Sequence, residues 1–147
     1  MLFTRLTGNA SYRVIHVWVR LGQVGLALHE PASAVREFER ALAASRTEVA
    51  SEGTLVQDAR LGRADALIAL GRFDAARQDL DEAGRLATDI GPARARQREL
   101  LTRLDSAQER WQAALAHAQA AFDDYRAISG AGSVETVGPL ARLAQAH

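Results

Sequence analysis

The side chains that could do chemistry are few and scattered. Four histidines, His16, His29, His117 and His147, fall on different predicted helices or at a chain end, and there is no cysteine. No two histidines stand at the i, i+4 spacing that would put both imidazoles on one helical face for a metal. The residues therefore imply neither a metal site nor a cofactor. Two acidic clusters, Asp123 with Asp124 and Asp79 with Asp81 and Glu82, are the remaining candidates for acid–base work. Beside arginines on helix surfaces they are expected instead as solvated faces, so no catalytic residue is assigned and the chain is expected not to be an enzyme. The basic run Arg94, Arg96, Arg98 and Arg103, interrupted by Glu99 and Asp105, reads as a salt-bridged helix face ahead of a phosphate-binding stripe. The glycines of Gly130-Ala131-Gly132-Ser133 lack the lysine and spacing of a phosphate loop and read as a connector.

With chemistry so sparse, composition sets the class. The chain has 147 residues, 48% apolar and 24% charged, enough to bury a core without disulfide or metal. Eighteen basic residues balance eighteen acidic ones, which argues against a dedicated nucleic-acid binder. The longest apolar run, residues 14–19 with His16 inside it, is far short of the roughly 20 residues a bilayer span needs. No secretory leader pattern opens the sequence, so no membrane association and a cytoplasmic location are expected. Alanine occupies 30 positions, and leucine, arginine, glutamine and glutamate much of the rest, so the fold should be nearly all helix.

Punctuation divides the helices. Ser11 is a plausible N-cap for a first helix running to Leu28, although the β-branched stretch 14–19 also permits a strand. Pro31 opens a second helix with Val35, Phe38, Ala41 and Leu42 on one stripe. A third carries Leu55, Leu61, Ala64, Leu67 and Ile68 up to Gly71; a fourth begins at Asp74; Pro92 opens a fifth; and a sixth ends at Ile128. A seventh, short segment is expected over 134–147, limited by Pro139.

The order Trp18, Leu21, Gly22, Gly25, then Pro31, Ala34, Phe38, Ala41 resembles the tetratricopeptide repeat, with Gly25 at its usual tyrosine. A second pair keeps Gly71, Phe73, Ala76, Leu80 and Ala83 but holds Arg60 and Arg63 at the tryptophan and leucine positions. A third keeps Leu101, Trp111, Ala114, Ala118 and Ala121. Equivalent alanines Ala34, Ala76 and Ala114 lie 42 and 38 residues apart, longer than the standard of about 34. Such extended repeats look like those of kinesin light chains and bacterial signalling regulators. The resemblance implies an all-α, right-handed solenoid of antiparallel helix hairpins. About three repeats cover residues 15–50, 54–90 and 93–130, with a partial fourth over 134–147. Residues 1–10 are expected as a flexible segment before a single helical domain at 11–147. An ordinary helix bundle is the competing architecture.

The family's concave groove implies a function: binding a peptide or protein segment, as part of a bacterial regulatory protein. Its groove positions correspond to His16, Val19, Gln23 and Leu26, then Asp58, Leu61, Asp65 and Ile68, then Arg96, Glu99, Arg103 and Ser106. Members that clamp a C-terminal carboxylate use basic residues and asparagines where this chain has Val19, Gln23 and Asp65, so that ligand is not expected. The first helix is apolar nearly all round, and something should cover it: a preceding domain, a second copy of the chain, or residues 1–9 folding back. Val14, Val17 and Val19 are candidates for self-association, which would make the chain a homodimer. A third reading is a ligand-sensing domain of a transcription regulator or kinase.

Overall fold

The computed structural model of the chain describes residues 2–46 and 53–130, with side chains from Tyr12 onward. Among the described residues there are six helices and no strand: α1 (Leu2–Ala27), α2 (Pro31–Ser45), α3 (Thr54–Ala69), α4 (Phe73–Leu86), α5 (Pro92–Ala107) and α6 (Trp111–Ser129). The stretch 14–19 is helical, not a strand. Residues 2–10, expected to precede the helical domain, belong to α1, so Ser11 lies inside a helix rather than at its start. The expected segment 134–147 lies outside the described residues.

Proline and glycine act as the sequence suggested. Pro31 and Pro92 occupy first-turn positions, where the missing N–H costs nothing. Gly53 and Gly91 supply extended backbone immediately before α3 and α5, and Gly130, at φ 82°, ends α6.

The three α-α turns are one motif repeated. Glu30 N–H donates to Gly25 C=O (2.8 Å), Arg72 to Leu67 (2.9 Å) and Arg110 to Asp105 (2.8 Å), while His29, Gly71 and Glu109 donate to Leu26, Ile68 and Ser106. These 6→1 and 5→2 bonds form a Schellman turn, which satisfies the last carbonyls of the preceding helix. The motif needs a left-handed residue, and φ is 58° at His29, 76° at Gly71 and 60° at Glu109. Only Gly71 suits that conformation without a Cβ penalty. We expect His29→Gly and Glu109→Gly each to stabilise the chain by about 0.5–1 kcal/mol and Gly71→His to destabilise it by a similar amount. Thermal denaturation of the three variants checks the set; a loss at His29→Gly would mean its imidazole contributes more than its backbone costs.

The chain divides into two compact units, Met1–Arg72 and Phe73–His147. In the first, α2 packs on α1 and α3, and α1 also touches α3. Phe38 is fully buried. Its ring tip lies against two backbones that carry no side chain: a Cβ at Gly22 would stand 2.6 Å from Phe38 Cζ, and one at Gly62 would also overlap the ring. Gly25, where the repeat pattern has tyrosine, is also tightly placed, since a Cβ there would meet the Ala34 backbone at 3.2 Å. In the second unit α5 packs on both α4 and α6. Its core is built from Ala76, Ala83, Ala95, Ala114 and Ala118, small residues that let helix axes approach, with Leu80, Leu100 and Leu104 filling the space between. Gln97 reaches across to donate Nε2–H to Leu80 C=O (3.0 Å), and Gly84 leaves the room for it.

Candidate functional site

Helix α1 has two apolar faces, and only one of them is used. At 100° per residue, Ile15, Val19, Gly22 and Gly25 fall together and are buried. Val14, Val17, Leu21, Val24 and Leu28 form a second stripe at alternating steps of three and four, and each is between 42% and 61% exposed. Trp18 is half-buried between the two faces, and Tyr12, also exposed, lies off the stripe on the other side of the helix. Five large apolar side chains in one exposed line form a contiguous patch rather than the scattered singles that any surface carries. The alternating spacing is that of the a and d positions of a helix-pairing seam. On one side the stripe is flanked by Arg13 and Arg20, both exposed; Arg20 donates to Gln23 Oε1 at 3.1 Å. Among the described residues neither arginine is paired with a carboxylate.

The residues proposed from sequence are distributed unevenly. Val14 and Val17 lie on the exposed stripe, but Val19 is only 2% exposed and belongs to the core, because it faces the α2 side of α1. Leu21, Val24 and Leu28 complete the stripe; the three-and-four spacing was the signal that could have found them. Of the groove positions in the first unit, His16, Gln23, Leu26, Asp58 and Asp65 are half-buried on α1 and α3, which pack together. Leu61 and Ile68 are buried with Val19, which removes all three from any partner's reach. In the second unit Arg96 and Arg103 are exposed, Ser106 is half-buried, and half-buried Glu99 accepts from Tyr125 Oη at 3.2 Å. Burial pushes the Tyr125 phenol above its ordinary range against the charge of Arg96, which keeps it a hydrogen donor.

The acidic clusters read as solvated faces contain two buried members, Asp79 and Asp124. Asp124 receives Arg94 as a two-pronged fork, Nε at 3.0 Å and Nη2 at 2.7 Å, and Arg98 Nη1 at 2.9 Å. These bonds hold the Arg94 guanidinium above the usual arginine range, opposed by its desolvation. Asp105, almost fully buried, takes Arg77 Nη2 from α4 at 2.6 Å and His117 Nδ1 from α6 at 2.7 Å. Arg77 also reaches Gln108 Oε1 at 3.0 Å. The two aspartates thus bind three helices into one unit. A shallow cleft of about 340 Å³ opens between them, lined by Gly84, Arg94, Gln97, Arg98 and His117 among others. Its arginines are directed onto Asp124, and its histidine onto Asp105.

Among the described residues no group of three or more His, Asp or Glu side chains converges as a metal site, and no helix is long and apolar enough to cross a membrane. No family model matches the chain, and no curated protein or solved structure is similar to it at a significant level.

Proposed function

We propose that the chain is a non-enzymatic protein-interaction module of the tetratricopeptide type, a right-handed solenoid of helix hairpins working in the cytoplasm as part of a bacterial regulatory protein. Support for the repeat comes from the thrice-used Schellman turn and from Ala34, Ala76 and Ala114, each at most 1% exposed at the same place after that turn. Support for interaction comes from one observation: the exposed seam of Val14, Val17, Leu21 and Val24 on α1, continued by Leu28 just beyond its end. Among the described residues these side chains are left exposed, and a contiguous apolar line of this kind suits an external contact. The docking surface is therefore α1's outer face rather than the groove positions, several of which are spent on the core.

Stability measurements test this without knowledge of the partner. Changing Val14, Val17, Leu21 and Val24 together to glutamine should alter unfolding free energy by no more than about 1 kcal/mol, because none is buried and glutamine is a good helix former. Ile15→Gln alone, on the buried face, should cost about 3 kcal/mol. If the fourfold variant loses as much as Ile15→Gln, the chain itself covers that face, and the docking reading fails.

A further inference from the structure

The exposed seam also specifies what it receives. Its five residues fall within about 80° of the helix circumference, given 100° per residue. A helix that lies in a lipid interface presents a broader apolar face, whereas a narrow a/d line suits the side chains of another helix. With Val14, Leu21 and Leu28 at a and Val17 and Val24 at d, the g positions are Arg13, Arg20 and Ala27, and the e positions are Trp18 and Gly25. From Leu2 to Ala27 the helix holds three arginines and neither aspartate nor glutamate.

That charge pattern separates the candidate occupants. A second copy would bring the same arginines and no carboxylate from its own α1 in either orientation. In an antiparallel pairing centred on Leu21, Arg20 would stand beside its own symmetry mate. Like charges at flanking positions count against a pairing, and opposite charges favour it.

Resting on the reading of this face as a docking surface, we propose that α1 receives an amphipathic α-helix from another protein, apolar at its own a and d positions and carrying glutamate or aspartate along the edge that meets Arg13 and Arg20. The apolar seam supplies the contact; the two arginines choose the partner and its direction. Attraction should weaken as salt rises, since both arginines are exposed.

Two fluorescein-labelled synthetic peptides of about three heptads test the proposal, identical in leucine and isoleucine at a and d but with either glutamate or lysine at every flanking position. Titrated with the full chain at low salt and followed by anisotropy, the glutamate peptide should bind at least about tenfold more tightly than the lysine peptide. The Arg13→Glu, Arg20→Glu variant should reverse that order, and Leu21→Glu should abolish binding of the glutamate peptide. Equal affinity for both peptides, lost on Leu21→Glu, would keep the docking face but overturn the acidic partner. Peptide binding unaffected by Leu21→Glu would overturn the docking face itself. Failure to bind either peptide, with a concentration-dependent dimer mass in light scattering, would assign the face to a second copy. Failure to bind either peptide, with binding to phosphatidylglycerol vesicles, would assign it to a lipid surface.

Discussion

Phe38→Ala is expected to cost about 4 kcal/mol, the largest single loss among the described residues, because the side chain is fully buried and its neighbours on two helices are glycines that cannot fill the void. The informative measurement is its coupling to Gly62. In the native background Gly62→Ala should be destabilising by about 1–2 kcal/mol: the helix-propensity gain of about 1 kcal/mol is outweighed by overlap with the Phe38 ring. In a Phe38→Ala background the same substitution should become stabilising, because the added methyl enters the vacated space. A change of sign in a double-mutant cycle by chemical denaturation is the expected outcome. Phe38→Leu supplies the cycle if the alanine variant is too unstable to measure. Should Gly62→Ala stabilise the native chain, the ring does not wedge between α1 and α3 as described.

Asp105→Ala is the second large effect. It leaves Arg77 and His117 without their shared carboxylate in a unit whose helices that carboxylate joins. Breaking a buried ion pair costs about 3–5 kcal/mol, but the Arg77 and His117 side chains are 29% and 32% exposed, and water will recover part of the loss. About 2 kcal/mol is expected. Changing all three together, Arg77→Met, Asp105→Leu and His117→Leu, should return to within about 1 kcal/mol of the native chain, because no charge is then stranded. A triple variant as unstable as Asp105→Ala would make the network a net source of stability rather than a set of mutually compensating charges.

The helices were legible because punctuation and a 3.6-residue period are local signals. Pro31, Pro92, Gly53 and Gly91 sit where such residues belong, and the 42- and 38-residue steps between the repeat alanines recur in the turn residues His29, Gly71 and Glu109. The left-handed backbone at His29 and Glu109 was not legible, since neither residue type announces it. Nor was Gly62, because a glycine's purpose depends on which ring arrives opposite. Val19, Leu61 and Ile68 show a related limit: a period finds an apolar stripe, but on a helix apolar on two sides it does not say which stripe faces inward. Asp105 and Asp124 were hidden for a different reason. Their partners Arg77, Arg94 and Arg98 lie 26 to 30 positions away, so nothing in the neighbouring sequence marks these carboxylates as interior.

The Schellman turns also decide where this chain can tolerate a change of length. From the carbonyl that closes each turn to the first buried alanine beyond it, Gly25 to Ala34, Leu67 to Ala76 and Asp105 to Ala114, the count is the same. The four-residue difference between the 42- and 38-residue steps falls elsewhere, chiefly in the length of chain between helices: α2 ends at Ser45 and α3 begins at Thr54, whereas α4 ends at Leu86 and α5 begins at Pro92. One residue inserted inside a turn would swing the following helix by about 100° and carry Phe38 off its glycines. The same residue inserted between α4 and α5 would only lengthen a connector. Changes of length should therefore be tolerated between α4 and α5 and rejected inside the three Schellman turns, whose register fixes the helix that follows.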